Sequence, residues 1–441
     1  MLLFAAEALL PGGWAPDVVV EVAPDGFIVG VRAGAPIPRG AERCGPLVPG
    51  IANLHSHAFQ RAMAGSAERR LRADDDFWSW REAMYGLAAT LDPDSLHAIA
   101  VEAYREMLVA GYTAVAEFHY LHRDPRGAWY ADRAAMARAL LDAAREAGIA
   151  ICLLPAAYTQ SDPQRTPLRE EQRRFAASSD DVLAIGATLR RDAAGDDDVV
   201  IGACAHSLRA VTPAGLRELI AGSPADVPVH LHAAEQAREV EAVEDALGAR
   251  PVAWLLAHHD VGPRWCLVHA THLDGAECDA LAACGAVAGL CPTTEANLGD
   301  GIFPFAAYSG AHGTYGIGSD SNISIAPPEE LRWLEYVQRL VAQRRLIAAT
   351  PGASCGEVLY AEAARGGAQA CGLRAGSIAP GLRADLVVLD DRRPIMAHAP
   401  PGELLDRYVF AEAGARPRHV MVRGRWRIRD GVAVVPSVLG R

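Results

Sequence analysis

From residue 46 onward, short apolar runs of β-prone residues alternate with stretches rich in Ala, Leu, Glu and Arg that suit helices. The runs read GPLVPGIANL, YTAVAEF, IAICLLPAAY, VVIGACA, VPVHL, WCLVHA, AVAGLCP and TYGIGS. Strands apolar on both faces must be covered on both sides, and intervening helices make them parallel. About eight such units over roughly 300 residues fit an α/β fold of the (β/α)₈ barrel type.

The two ends follow another pattern. APDVVVEVAPDGFIVGVRAG near the start, and GLRADLVVLD and HVMVRGRWRIRDG near the end, alternate apolar and polar residues between glycine turns. Antiparallel strands from both termini are expected to meet in a small β-sandwich domain of residues 1–48 and 377–441. The catalytic barrel is then residues 49–376. A chain of 441 residues has material for both.

In such barrels chemistry gathers where strands end and the following loops begin. His55 and His57 close the first strand, His119 the second and His206 the fourth. His230 and His232, followed by Glu235, close the fifth; His269 closes the sixth and Asp320 the eighth. A lone histidine at a strand end is ordinarily a packing residue, and His97, His122, His258, His259, His312, His398 and His419 are read so. The pair His55 and His57 differs, because residues i and i+2 of a strand face the same way. Two imidazoles aimed into a barrel mouth suit a shared metal ion. Asp320 follows the apolar YGIGS, where an uncompensated charge is costly; a hydrogen-bonded SDSN turn is the plainer alternative.

Composition excludes several functions. The chain has no lysine, so all 42 residues of the Lys+Arg count are arginine. A Walker-A phosphate site, a pyridoxal Schiff base and a carboxylated-lysine bridge between two metals are thereby ruled out. A mononuclear site follows as the expectation. A net charge of −12 argues against nucleic acid or an anionic membrane as partner. The start MLLFAAEALLPGGW lacks the basic region of a secretory leader, and no apolar run reaches the roughly 20 residues of a membrane span. Nine scattered cysteines, with no C-x-x-C, suit reduced thiols in a cytoplasmic protein better than disulfides. The acidic DAAGDDD at 192–198 reads as a solvated loop.

PGIANLHSH, HLHAAE, VHATH and SDSN, in that order, resemble the amidohydrolase superfamily over nearly the whole chain. NLHSHAFQRAMAG, DDFWSWREAMY, GYTAVAEFHYLHRD, HSLRAV, HLHAAEQAREV, WCLVHATHL and CPTTEANLGDGIFP narrow the likeness to the formimidoylglutamate deiminases. The resemblance implies zinc-dependent hydrolysis of N-formimino-L-glutamate to N-formyl-L-glutamate and ammonia, in histidine degradation. It implies one zinc ion per subunit held by His55, His57, His232 and Asp320, with Glu235, His269 and Asp320 as catalytic residues. Gln60, Arg81, Tyr120, His206 and Arg209 match the positions that hold substrate, and a homodimer is implied.

The chemistry needs residues of this kind. Water is a poor nucleophile toward an amidine, but zinc lowers its pKa from near 15.7 to about 7. Glu235 lies three residues past His232, suited to protonating the departing nitrogen; capping the next helix is its alternative role. Arginine forks bind carboxylates bidentately, so Arg209 and Arg81 suit a dicarboxylate. A deaminase for a cyclic amidine or nucleobase such as guanine would keep the metal ligands and replace those arginines. A hydrolase releasing formamide would share the pocket, and a non-catalytic barrel would have lost Glu235 or His269.

Overall fold

The computed structural model describes residues 1–69, 73 and 75–434. Eight parallel strands pair in chain order: Ile51–Ser56, Tyr112–His119, Ala150–Ala157, Ala203–Ser207, Val229–Ala233, Trp265–His269, Val287–Leu290 and Thr314–Ile317. A short segment, Val199–Ile201, pairs with the third strand just before the fourth begins. The eighth strand returns to the first through a parallel bridge between Ser56 and Asp320. There the N–H of Asp320 donates to His55 O at 2.9 Å, and the N–H of His57 donates to Asp320 O at 2.9 Å. The second and third strands are buried along their whole length, as their unbroken apolar sequence requires.

Helix boundaries follow local chemistry. The helix Pro93–Ala110 starts with an Asp92–Ser95 capping box and proline in its first turn, and stops at Gly111, whose φ is 108°. Between the first strand and this helix the chain makes a short 3₁₀ turn, Ala58–Met63, and a further helix, Phe77–Ala88, capped by Asp76. That helix lies along the wall of the central cavity, to which it contributes Phe77, Trp80, Arg81 and Met84.

The terminal strands form one continuous mixed sheet. Leu386–Val388 runs antiparallel to Leu47–Pro49 and joins the C-terminal strands His419–Val422 and Arg425–Arg429 to the N-terminal Leu2–Leu10, Gly13–Val22 and Ile28–Arg32. Leu2–Leu10 pairs in succession with Glu42–Cys44 and with Leu47 along one edge, so the ladder splits there. The Trp426 indole N–H then reaches Glu42 at 3.3 Å. The strands expected to form a sandwich thus belong to one mixed sheet, with a buried cluster that includes Leu3, Val20, Leu47, Leu386 and Met421.

The 192–198 segment is the largely exposed turn expected, and it also carries ion pairs. The buried guanidinium of Arg383 pairs with Asp385 and with Asp198, each at 2.9 Å, and Arg423 pairs with Asp197 at 2.6 Å. The acidic turn is where the mixed sheet docks on the barrel. Among the described residues no helix is long and apolar enough to cross a membrane. All nine cysteines are unpaired.

Candidate metal and catalytic centre

Five of the polar strand ends converge. Nε2 of His55 and of His57 lie 3.3 and 3.4 Å from the same oxygen, Oδ1 of Asp320. Nε2 of His232 is 3.1 Å from Nε2 of His55. His269 approaches from the sixth strand, with Nε2 3.9 Å from Asp320 Oδ2 and 3.8 Å from Glu235 Oε1. All are buried. The turns that aim them are strained: Ala234, His269, Ala270 and Asp320 have φ of 53°, 69°, 50° and 44°. Left-handed backbone at non-glycine residues is costly and persists where surrounding structure enforces it. Part of that enforcement is Asn322, whose Nδ2 donates to Ser56 Oγ, His57 O and Asp320 O. SDSN is thus both a hydrogen-bonded turn and the carrier of a buried acid.

The protonation pattern suits a cation. Nδ1 of His57 is 2.8 Å from Phe118 O, and Nδ1 of His232 is 2.9 Å from His206 O. A carbonyl only accepts, so both rings carry their proton on Nδ1 and present a bare Nε2 to the centre. Burial pushes the imidazoles toward neutrality, with His55 lowered to about 3 and His232 held well below its ordinary value. Burial opposes ionisation of Asp320, but the His55 hydrogen bond and the neighbouring imidazoles outweigh it and hold the carboxyl below its usual range. Neutral imidazoles and an ionised carboxylate, with lone pairs facing one another, are the donor set of a single divalent ion.

Glu235 and His269 face each other beside this set. Burial raises Glu235 to about 7, with the His269 charge pulling the other way. Burial would lower His269, but Glu235, Glu295 and Asp320 raise it to about 10. Capping does not explain Glu235: the next helix, Ala237–Leu247, has Gln236 at its N-cap with no side-chain cap.

The cavity above is lined by Gln60, Arg81, Tyr120, His206 and Arg209, as well as His57, His232, Glu235, His269 and Asp320. Gln60 Nε2 donates to the Tyr120 hydroxyl at 2.9 Å, leaving its own Oε1 without a partner. Arg81 Nε and Nη1 and Arg209 Nη1 are buried without partners. Two guanidiniums with unpaired buried N–H groups in one cavity suit a negatively charged ligand.

Two strand-end histidines lie elsewhere. His230 is two residues deeper in the barrel, where Nε2 meets Ala370 O at 2.8 Å. His119 packs against His122, with ring centroids 5.0 Å apart. Sequence reasoning gave no role to Glu295, which follows the seventh strand and holds Nδ1 of His269 at 3.2 Å. It also passed over Asp300, raised by burial and by Glu235 to about 9, and Glu239, whose Oε2 accepts the Glu235 N–H at 3.0 Å. The seventh strand is one of two without a marked polar end, and a carboxylate placed just after it was the available signal for Glu295.

The barrel, the imidazole–carboxylate centre and the family match agree: the chain belongs to the amidohydrolase family, whose profile covers residues 47–427. It is a metal-dependent hydrolase of C–N bonds in linear amidines. Within that family it is closely related to formimidoylglutamate deiminase. Residues 1–45 match the profile described as formimidoylglutamate deiminase HutF, N-terminal domain. The chain is 49% identical over 433 residues to formimidoylglutamate deiminase of Pseudomonas aeruginosa, covering 97% of this chain and 95% of that protein. The crystal structure of an amidohydrolase from Brucella melitensis superposes with a TM-score of 0.94 at 43% identity, covering 98% and 95% of the two chains. A more distant relative is 5-methylthioadenosine/S-adenosylhomocysteine deaminase of Natronomonas pharaonis, 28% identical over 397 residues, 88% of this chain and 83% of that one.

Proposed function

We propose that this chain hydrolyses N-formimino-L-glutamate to N-formyl-L-glutamate and ammonia, a step of histidine degradation. The observation that carries the reading is the pair of guanidiniums with unpaired buried N–H groups, Arg81 and Arg209, sharing a cavity with the imidazole–carboxylate centre. His55, His57, His232 and Asp320 would hold one zinc ion per subunit. Such an ion supplies Lewis acidity, which makes water acidic enough to act near neutral pH.

The chain's own groups do the rest. Arg81 and Arg209 bind the two substrate carboxylates, while Gln60, Tyr120 and His206 fix the chain between them and the formimino carbon. Asp320, kept ionised, accepts the proton of the water that adds to this carbon. His269, facing both Asp320 and Glu235, orients the nucleophile. Glu235, near neutrality in its pKa, hands a proton to the departing nitrogen as the C–N bond breaks. The glutamate nitrogen stays bonded as the formamide. Unpaired thiols support a cytoplasmic setting, and the family likeness supports a homodimer.

The test is incubation with N-formimino-L-glutamate, with ammonia, formylglutamate and formamide measured in one sample. Equal ammonia and formylglutamate, lost on chelation and restored by zinc, is expected. Formamide in place of ammonia, or no turnover by folded, zinc-loaded protein, overturns the reading and moves the search to cyclic amidines and nucleobases.

A further inference from the structure

Trp78 lies on the helix Phe77–Ala88, next to the cavity-lining Phe77, and three guanidiniums from three separate elements gather on its indole. Arg81, one turn further along the same helix, lies 4.4 Å from the ring centroid. Arg209, from the loop after the fourth strand, lies at 5.8 Å. Arg238, in the first turn of the helix Ala237–Leu247 after the fifth strand, lies at 4.8 Å. Arg81 and Arg209 line the cavity; Arg238 is exposed outside it.

Arg238 is poorly explained as an ordinary surface residue. A cation in the first turn of a helix faces the positive end of the helix dipole. Among the described residues it has no ion pair or hydrogen bond. Glu241 stands three positions further along the helix without pairing to it, Glu82 is taken by Arg169 at 3.0 Å, and Glu239 is buried against the Glu235 N–H. What holds Arg238 is the face of Trp78. The result is a run of three cations, from solvent to the cavity, on a protein whose net charge is −12. Such a run gives the carboxylates of a substrate a locally favourable field on a protein of opposite overall sign.

We propose that Arg238, held on Trp78, is the outer cation of the substrate path, capturing dicarboxylates electrostatically before Arg209 and Arg81 take them over. This rests on the dicarboxylate reading of the substrate. Arg238 touches no reacting group, so its contribution lies in capture and not in the chemical step. A charge at the rim of a binding surface acts mainly on association rate and on its salt dependence.

The experiment compares Arg238→Gln with wild type, using N-formimino-L-glutamate at about 0.01 M and about 0.3 M salt, where the screening length falls from about 30 Å to below 10 Å. At low salt kcat/KM of the variant is expected to fall about tenfold while kcat holds, the gap closing at high salt. Trp78→Leu, which frees Arg238 without removing its charge, is expected to lose part of the same salt-dependent advantage. Equal kcat/KM and equal salt slopes for wild type and R238Q overturn the inference while leaving the deiminase reading intact. Should wild type not turn over this compound, calorimetric binding of glutarate replaces the kinetic readout. Weaker, less salt-sensitive binding by R238Q then supports the inference, and indistinguishable binding overturns it.

Discussion

Nδ1 of His269 lies 3.2 Å from Oε1 of Glu295, and that oxygen also accepts the backbone N–H of Cys291 at 2.9 Å. The carboxylate fixes the ring with its proton on Nδ1 and leaves Nε2 facing Asp320 and Glu235. A glutamine amide oxygen can accept the same two bonds; alanine cannot. Glu295→Ala is therefore expected to lower kcat by about 10- to 100-fold with little change in KM, and Glu295→Gln to retain most of the activity. Steady-state kinetics of both variants check this. Equal losses in the two, or a loss confined to KM, would count against a positioning role.

Arg81 and Arg209 are buried, mutually repelling and short of partners. Hydrogen bonds to charged groups contribute about 1.5–3 kcal/mol, so Arg209→Gln should raise KM for a dicarboxylate by about 10- to 100-fold. The same change also removes the charge that Glu239 and Glu235 favour in the folded protein. R209Q is accordingly expected to gain less thermal stability than wild type from added glutarate. A gain equal to that of wild type would mean that Arg209 does not meet the ligand.

Much of this centre was legible because its signals are local. The spacing of His55 and His57 on an apolar strand, and the acid after YGIGS, mark three members of the centre without any knowledge of distant segments. The parity of a strand also explains His230. It shares a face with His232 but sits two residues deeper, where Ala370 and not the cavity meets it. Glu295 was not legible in this way, since a glutamate in the first turn of a helix reads as a favourable dipole partner. Its role depends on where the sixth strand delivers His269, which is a long-range fact. The ion pairs of the exposed turn at Asp197 and Asp198 were not legible for the same reason: their partners Arg383 and Arg423 lie more than 180 residues away.

Gly318 sets how closely the eighth strand approaches the first. A Cβ there would lie 2.7 Å from His55 O and 2.8 Å from His55 N, with no flexible side chain to give way. Gly318→Ala must displace the strand that carries a proposed metal ligand. A stability loss of about 1–3 kcal/mol is expected from the overpacking, together with weaker zinc retention. Gly275→Ala, in a helix with open space around the new methyl, is the control. Melting curves and zinc content measured after dialysis distinguish the two; retention of both by G318A would show that the strands can separate at no cost.

Glu117 closes the turn after the first strand from the second. Its Oε1 accepts the Ala58 N–H at 2.7 Å, and its Oε2 has no partner. Burial raises this carboxyl to about 8, against the lowering effect of the hydrogen bond from Ala58. An acid whose folded value exceeds its unfolded value holds its proton more tightly when folded. Its contribution to stability is full below about pH 4.5, the ordinary value, and is lost as the pH rises through about 8. Glu117→Gln keeps the acceptor for Ala58 and cannot ionise. The stability of E117Q relative to wild type is therefore expected to increase steadily from about pH 5 to about pH 9, levelling off beyond the folded value. Urea melts of both proteins across that range measure the difference directly, because groups common to the two cancel. A difference that stays flat with pH would show that Glu117 is ionised in the fold, with its charge carried by the Ala58 N–H.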